Sequence, residues 1–282
     1  MKKTILVSCL LFVYVILWAE NPNDQKYLLT TNVNSFGFST IDMTDPYLSP
    51  TNYSGIGLNY THENRRFLKL ENTTFSMQNK LGFASGLMLN PTGNSALTYL
   101  GVNYGWGINY HFRLEKGIRI LAGGLWDIDL GFKDMARNIN NPVNVDLSTN
   151  LNLTGLLQYD IPTHRRTMRL EMALQTPIIG CMYVPLGGAS YYDMFELGSF
   201  TNAIHASTLF NKRGLVQTYA ISIPFNQVVW RFGLHLNNLI YKANNMVFTK
   251  NEYSLLIGTT FDAIHFGGRK KTTPLNFIST NE

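Results

Sequence analysis

Residues 100–112 read LGVNYGWGINYHF, and every second residue of this stretch is large and apolar. The apolar residues are Leu100, Val102, Tyr104, Trp106, Ile108, Tyr110 and Phe112. An uninterrupted period of two predicts a β-strand with one apolar face. Strands in soluble sheets are usually about 5–6 residues long, whereas a tilted strand that crosses a bilayer needs about 9–11. The stretch therefore favours a membrane-spanning strand.

The same alternation recurs along the chain. Four consecutive long arms lie between Ala96 and Ile178, and more arms follow at Phe200–Phe210, Leu215–Phe225, Val228–Tyr241 and Tyr253–Phe266. Weaker segments precede Ala96, among them Gln25–Phe38 and Phe67–Met77. Since bacterial single-chain barrels have even strand numbers, the pattern predicts about 12 strands, or about ten if those two segments are not strands.

Four segments between the arms are predicted to be loops or turns, because they contain proline, glycine or clusters of polar residues. They are Ser39–Asn52, Glu63–Arg66, Lys133–Asn144 and the long irregular segment Ile179–Gly198.

The composition narrows the fold class. Of 282 residues, 15% are charged and 13% aromatic, and beyond the N-terminus no run reaches the ~18 apolar residues of a spanning helix. A secreted β-sandwich could share this composition, but it would need turns about every 8–12 residues. Several arms here run longer without a break. Open sheet edges in lipid would leave backbone groups unpaired, so such strands must close. We predict an all-β, antiparallel transmembrane β-barrel.

The N-terminus has the pattern of a secretory signal peptide. Lys2 and Lys3 precede an apolar run from Ile5 to Trp18, and Ala19 precedes a polar segment. A short membrane anchor is the alternative. We predict a signal peptide over residues 1–19, an outer-membrane barrel over 20–266 and a polar C-terminal tail over 267–282.

Cleavage after Ala19 would change both charge and cysteine content. Loss of Lys2 and Lys3 reduces the 23 basic residues to 21 against 18 acidic ones, a mature charge of +3. This excess is too small to indicate a nucleic-acid partner. Loss of Cys9 leaves Cys181 without an intramolecular partner, so stability must come from burial and backbone hydrogen bonds.

Charged residues recur on the polar face of the arms, and buried charges persist only when they are paired or hydrated. We predict a hydrated ionic network in the lumen, formed by Asp127, Asp129, Asp146, Arg169, Glu171, Arg231 and Asp262. Asp127 and Asp129 could hold a divalent cation, but a salt bridge to Arg169 or Arg231 is the favoured interpretation. No metal and no cofactor is predicted.

One pair of residues suggests nucleophilic chemistry. His205 and Ser207 place a base and a hydroxyl on one strand face, as in an outer-membrane phospholipase that orients a His-x-Ser pair with an Asn. Asn211 or Asn202 could take that role. The residues after Ser207 do not match the lipase pattern, and the pair is predicted to face the lumen. We therefore favour a hydrogen-bonded lumen histidine and predict no enzymatic activity.

Several motifs resemble an uncharacterised family of exported Bacteroidetes proteins, a domain of unknown function. They are YYDMFELG at 191–198, Ile204-His205, Asn211-Lys212, WRFG at 230–233, YLSP at 47–50 and YSGIG at 53–57. The resemblance extends from about Tyr47 to Asp262. It implies a signal peptide and an outer-membrane-type barrel, with no assigned activity and no catalytic residues. Barrels of this kind usually end on an aromatic residue, whereas Phe266 is followed here by the tail.

The sequence thus predicts an integral outer-membrane barrel of a Gram-negative bacterium that acts as a narrow pore, a structural element or a binding protein. Its expected partners are outer-membrane lipid and the barrel-insertion machinery, without nucleic acid, and the oligomeric state is left open. Two alternatives remain: an outer-membrane acyl hydrolase using His205 and Ser207, and a soluble periplasmic β-protein that binds an apolar ligand.

Overall fold

The structure, a computed structural model, describes residues 26–69, 73–114, 117–138, 141–163, 166–196, 200–226, 228–264 and 276–280. The predicted signal peptide lies outside these residues. The strands are β1 (Lys26–Asp45), β2 (Ser49–Phe67), β3 (Phe75–Leu89), β4 (Ala96–Arg113), β5 (Ile118–Asp134), β6 (Val143–Pro162), β7 (Thr167–Tyr183), β8 (Ile204–Thr208), β9 (Lys212–Phe225), β10 (Val228–Ala243), β11 (Met246–Ile264) and β12 (Asn276–Ile278). A short helix α1 (Tyr191–Glu196) and a 3₁₀ turn (Phe200–Ala203) lie between β7 and β8. Among the described helices, none has the length and apolar character needed to cross a membrane.

Ten of the described strands form a closed antiparallel barrel. Strands β1 to β7 pair in chain order, β7 pairs with β9, and β9, β10 and β11 follow. The barrel closes where β11 pairs with β1, from Leu29 opposite Ile264 to Thr44 opposite Thr249. The predicted fold class is therefore confirmed, with the smaller of the two predicted strand counts.

The count of ten does not arise as predicted, because Gln25–Phe38 belongs to β1 from Lys26 onward. Two other segments lower the number of wall strands from 12 to ten, Phe67–Met77 and Phe200–Phe210. Phe67–Met77 is not a strand of its own, because β2 ends at Phe67 and β3 begins at Phe75. Phe200–Phe210 contributes only β8, which pairs with Ile179–Tyr183 of β7. Strand β9 pairs with Arg169–Gln175 of β7. β8 and β9 thus share one position in the wall, which alternation of apolar residues cannot reveal.

Two of the predicted loops are wrong, because polar residues that face the lumen belong to strands. Most of Ser39–Asn52 lies in β1 and β2, and the turn between them is short: Leu48 N donates to Asp45 O (3.1 Å) and Tyr47 N donates to Asp45 Oδ1 (3.0 Å). The predicted turn Glu63–Arg66 is part of β2.

The two faces of the wall differ as the alternation predicts. The seven apolar residues of 100–112 all project outward, each 37–54% exposed. At a rise of ~3.3 Å per residue and a tilt of ~40°, this stretch covers roughly 30 Å of height, about the thickness of a bilayer's hydrocarbon core. The residues between them, such as Asn109 and His111, are buried in the lumen.

Glycines on the inward face let the side chain of one strand pack against the backbone of its neighbours. A Cβ at Gly57 would lie 2.4 Å from Ile41 Cδ1 and 2.4 Å from the Ser85 carbonyl oxygen. A Cβ at Gly86 would also lie only 2.8 Å from Ile41 Cδ1. The Ile41 side chain therefore packs directly on the backbones of β2 and β3, which narrows the lumen there.

Apolar side chains close the end of the barrel at which β1 stops. We call this group the cap; it consists of Ile41, Met43, Tyr47, Leu48, Tyr53, Met88, Leu97, Met135, Met182, Val184, Met194, Ala203 and Phe248. Residues 184–196 and 200–203, which include most of the predicted irregular segment, supply three of its members, Val184, Met194 and Ala203, and each of these three is fully buried.

Helix α1 is held in the cap by its first turn. Ser190 Oγ donates to Asp193 Oδ2 (2.8 Å), and Asp193 N donates to Ser190 Oγ (3.1 Å), a reciprocal N-terminal cap. The hydrogen bonds from the Ser190 hydroxyl and amide lower the pKa of the Asp193 carboxyl. Tyr47 Oη donates to Ala189 O (3.0 Å) and ties the β1–β2 turn to the same segment.

The opposite end, where β1 begins, receives part of the predicted tail. Strand β12 pairs in parallel with Lys26–Leu28. Beyond it, Thr280 Oγ1 bonds to Thr31 Oγ1 (2.8 Å) and Ser279 Oγ donates to Asp262 Oδ2 (3.0 Å). This return of residues 276–280 to the barrel differs from the expected polar tail.

Candidate functional site

The lumen is lined with charged side chains because alternate residues of each strand point inward. Strand β5 shows this most clearly, since Arg119, Asp127 and Lys133 are all less than 10% exposed. Most of these charges fall into three groups between the cap and the opposite end.

The first group lies just beneath the cap and is centred on Lys133. Its Nζ lies 2.8 Å from Asp45 Oδ2 and 2.8 Å from Asp146 Oδ2. Lys133 and Asp45 are almost fully buried, at 3% and 1% exposure. Asn144 Nδ2 donates to Asp45 Oδ2 (2.6 Å), and Tyr191 Oη donates to Asn144 Oδ1 (2.9 Å). One ammonium therefore links β1, β5 and β6, and Asn144 connects this group to α1.

The second group, the cavity cluster, consists of Lys80, Asn103, Asp127, Asp129, Ser148, Asn150, Gln175 and Lys212. It lines a cavity of about 210 Å³. Asn150 Nδ2 donates to Asp127 Oδ1 (2.8 Å) and to Asp129 Oδ2 (3.2 Å). Lys212 Nζ donates to Asn150 Oδ1 (2.9 Å). An amide thus stands between the buried ammonium and the carboxylates.

The third group, the arginine cluster, lies toward the opposite end and contains Arg65, Arg119, Arg169, Arg231, Glu63, Asp160 and Glu171. Glu171 accepts from Gln158 Nε2 (2.6 Å) and pairs with Arg231 Nη1. Arg65 Nη2 lies 3.9 Å from the same carboxylate and Arg65 Nε lies 2.8 Å from Glu63 Oε1.

Asp160 holds the other two guanidinium groups of the arginine cluster. Arg119 Nη2 lies 2.6 Å from Asp160 Oδ2, and Arg169 Nε lies 2.7 Å from Asp160 Oδ1. With Glu171 and Glu63, three carboxylates face four arginines, which leaves one positive charge in excess. A second cavity, of about 80 Å³, borders Arg65 and Arg231 and shares Lys80 with the larger one.

The predicted network residues are distributed over these groups. Asp146 pairs with Lys133, Arg231 with Glu171, and Arg169 with Asp160. Asp127 and Asp129 belong to the cavity cluster. The salt bridge expected between this pair and Arg169 or Arg231 is not formed among the described residues, because Arg169 pairs with Asp160 and Arg231 with Glu171 instead. Asp262 lies apart from the three groups, beside Thr31 and Ser279.

Several central residues of the lumen were not predicted from the sequence. Lys133 and Asp45 were placed in the loops 133–144 and 39–52, and Lys80 and Lys212 were given no role in the lumen. Each lysine continues the alternation of the adjoining strand, as in Gly131-Phe132-Lys133. Extending the alternation into the polar flanks would therefore have placed these residues in the lumen.

His205 and Ser207 face inward, but they do not form a catalytic pair. Ser207 is 2% exposed, and its hydroxyl and His205 Nε2 have no hydrogen-bond partner among the described residues. Asn211 serves the β8–β9 turn: its Oδ1 accepts from Thr208 N (2.7 Å) and its Nδ2 donates to Ala206 O (2.8 Å). Within the part of the chain that is described, no group of three or more His, Cys, Asp or Glu side chains could hold a metal ion.

Solved structures similar to this chain include proteins from Escherichia coli and Neisseria meningitidis. The transport unit of the autotransporter AIDA-I from Escherichia coli is 9% identical, with a TM-score of 0.40 over 88% of this chain and 94% of that chain. The translocator domain of the autotransporter NalP from Neisseria meningitidis is 10% identical, with a TM-score of 0.39 over 92% and 96%. The outer membrane protease OmpT from Escherichia coli is 5% identical, with a TM-score of 0.44 over 88% and 100%. These values are too low to assign a function.

Comparison at the level of sequence gives a different result. No curated protein matches the chain. The profile of one family, described as "Protein of unknown function (DUF3316)", matches residues 4–270, which is nearly the whole chain. The chain therefore belongs to the DUF3316 family of proteins of unknown function.

Proposed function

We propose that the protein is an integral outer-membrane β-barrel whose lumen is closed at rest, and that it is therefore not an open diffusion pore. The observation that carries this proposal is the cap, in which Met194 and Phe248 are completely or almost completely buried across one end of the lumen. An open pore of this size would need a hydrated path at that point.

The outer surface supports membrane insertion. Every wall strand presents large apolar side chains outward, for example Phe36 on β1, Leu151 on β6 and Phe232 on β10. Soluble monomers rarely expose contiguous apolar patches above a few hundred Å². An apolar band that encircles the barrel is suited to contact with lipid acyl chains and not with water. This favours an integral membrane protein over a soluble periplasmic protein.

The connections between strands support one orientation. Outer-membrane barrels have short periplasmic turns and longer external loops. The described residues between β7 and β8, 184–196 and 200–203, outnumber those of any other described connection and lie at the cap. We therefore assign the cap to the external side and the start of β1 to the periplasmic side.

The interior supports closure below the cap as well. A barrel of about eight strands is just filled by its own side chains, so ten strands leave little additional space. Here that space contains the Lys133 group, the cavity cluster and the arginine cluster. The two lumen cavities that the described residues line are small, about 210 and 80 Å³, and they adjoin at Lys80 and Gln175.

Conductance in planar lipid bilayers tests the closed state. We expect the mature protein to be electrically silent and Met194→Lys to produce channel openings, because the new ammonium cannot remain in the apolar cap. Tyr192→Lys is the matched control, since Tyr192 lies on the same helix but is 72% exposed. Steady conductance of the unmodified protein would contradict the proposal.

Heat-modifiable migration on gels tests membrane insertion separately. Detergent-extracted protein should migrate as a compact species before heating and more slowly afterwards. Release of the protein from membranes by carbonate or high salt, without detergent, would contradict insertion.

A further inference from the structure

The cavity cluster separates opposite charges by neutral amides. Lys212 reaches Asp127 only through Asn150, whose Oδ1 accepts from Lys212 Nζ (2.9 Å) and whose Nδ2 donates to Asp127 Oδ1 (2.8 Å). Lys80 reaches the same carboxylate through Gln175, whose Oε1 accepts from Lys80 Nζ (3.3 Å) and whose Nε2 donates to Asp127 Oδ2 (3.3 Å). Asp127 is therefore flanked by two ammonium groups, each one amide away.

This arrangement differs from that of the other charges around the cavity. Lys133 contacts Asp146 directly, and Lys250 Nζ lies 3.3 Å from Glu252 Oε2. Opposite charges buried in a low-dielectric interior attract strongly. If Asp127 and the two lysines served only to neutralise one another, we would expect direct ion pairs, like those of Lys133 and Lys250. The separation of charges at Asp127 therefore requires another explanation.

The charged groups of the cavity cluster also retain unused hydrogen-bonding capacity. An ammonium has three donors, and each carboxylate oxygen has two lone pairs. Among the described residues, Lys80 uses one donor, to Gln175, and Lys212 uses two, to Ser148 Oγ (2.8 Å) and Asn150 Oδ1. Asp127 accepts from Asn150 at Oδ1 and from Gln175 at Oδ2, and the Asn152 amide also interacts with this carboxylate. Within these contacts, donors of both ammonium groups and at least one lone pair of the Asp127 carboxylate therefore remain unused, on opposite sides of the same space.

The size of the space limits what it can hold. The cavity of about 210 Å³ is lined by Lys80, Asp127, Asp129 and Lys212. Pockets for drug-sized ligands occupy about 300–1,000 Å³, so the occupant must be smaller. Its wall carries both signs of charge, which fits neither a simple anion nor a simple cation.

We propose that this cavity binds a small zwitterion of the amino-acid type. Its ammonium lies against Asp127 and Asp129, and its carboxylate accepts from Lys212 or Lys80. The bridging amides already have this polarity, with an oxygen toward the ammonium and N–H groups toward the carboxylate. A zwitterion offers the same pattern with full charges and can satisfy both sides at once.

A divalent cation fits the cavity less well. Asn150 presents its nitrogen, not its oxygen, to both carboxylates, while Lys212 occupies its oxygen. A metal site would need oxygen ligands around the ion and would place that ion beside the Lys212 ammonium. Calcium is therefore a competing outcome of the test.

Thermal-shift and calorimetric titrations of the detergent-solubilised mature protein test the proposal. The probes are glycine, acetate and methylammonium, the last two each carrying one of glycine's charges, together with calcium chloride, all after overnight incubation. We expect saturable one-to-one binding of glycine and at least tenfold weaker binding of acetate and methylammonium. Equal effects of the three organic probes, no effect of glycine, or a shift with calcium alone would overturn the proposal.

Substitutions locate the site. Asp127→Asn and Lys212→Gln should each weaken glycine binding at least tenfold. Lys80→Gln, at a half-buried position, provides a milder variant if the first two do not fold. Asp160→Asn in the arginine cluster is the control and should leave glycine affinity unchanged. Unchanged affinity in all three cavity variants would overturn the assignment.

The two proposals fail independently. A conducting unmodified barrel would contradict the closed state but not glycine binding. Conversely, a silent barrel that does not bind glycine would contradict only the zwitterion site.

Discussion

Lys133 illustrates how single residues stabilise this barrel. Its ammonium is buried between Asp45 and Asp146, and removing one partner of a buried ion pair typically costs about 3–5 kcal/mol. Since the remaining carboxylates would also repel each other, we expect Lys133→Met to lower the free energy of unfolding by about that amount. Urea unfolding of the refolded protein in detergent measures this change.

The control for this prediction is Arg137→Met, which removes a cation from an exposed position near the same end of the barrel. It should change stability by less than about 0.5 kcal/mol. The double variant Lys133→Met with Asp45→Asn should recover part of the loss. If Lys133→Met were as stable as the unmodified protein, the Lys133 group would contribute nothing to the fold.

Tyr47 and Tyr191 make the stability of the folded protein depend on pH in the alkaline range. Burial, with a smaller contribution from neighbouring Tyr183, Asp45 and Asp193, raises the pKa of Tyr47 from its ordinary 10.0 to about 12. Burial raises the pKa of Tyr191 as well. The folded cap therefore holds these protons after the unfolded chain has lost them, so stability is unaffected below pH 10 and falls as the pH rises toward 12.

Ultraviolet titration of tyrosinate absorbance checks this prediction. Tyr47→Phe should remove one late-titrating phenol and reduce the loss of thermal stability above pH 10. An unchanged titration curve in Tyr47→Phe would contradict the assignment of this phenol.

At the scale of single elements, Gly57 determines how closely β2 approaches Ile41. Because a Cβ there would lie within 2.4 Å of a side chain and a backbone oxygen, Gly57→Val should destabilise the barrel by about 1–3 kcal/mol or prevent its folding. Gly155→Val is the matched control, since a Cβ at Gly155 meets nothing within 4 Å. The fraction of heat-modifiable protein after refolding measures both, and equal yields would contradict the close contact.

The sequence predicted strands better than it predicted their ends. Alternation identified β4 and β5 because their outward residues contact one kind of medium throughout. It failed at Asp45 and Arg65, because an inward-facing polar segment of a strand has the same composition as a turn. Only the packing of inward residues against one another distinguishes such a strand segment from a turn, and that packing depends on strands distant in sequence.

At the scale of the whole molecule, the outward apolar band predicts contact with lipid. Trp106, Trp126 and Trp230, the three tryptophans beyond the predicted signal peptide, all face outward at 39–45% exposure. In liposomes, lipids brominated on their acyl chains should quench most of the tryptophan fluorescence, and aqueous iodide should quench little. Strong quenching by iodide alone would contradict the orientation of the wall.

The barrel as a whole could be predicted, whereas its interior could not. A polar inward face was evident from Asp127, Asp129 and Glu171, but the partner of each charge depends on which strands face one another across the lumen. The pairing of Arg169 with Asp160 and of Arg231 with Glu171 therefore could not be predicted from the sequence. For the same reason the bridging role of Asn150 and Gln175 could not be predicted, since it exists only once the barrel has closed.

The sharing of one wall position by β8 and β9 leaves a joint in the barrel. Their registers on β7 place Thr176, Pro177 and Ile178 between the two paired stretches, and Thr176 Oγ1 bridges the joint by donating to Gly214 O (2.8 Å). Proline has no amide hydrogen to give a neighbouring strand. Among the described strands, the backbone hydrogen bonds around the wall are therefore fewest at this joint, beside the cavity that contains Lys212. A local opening of the wall would begin there.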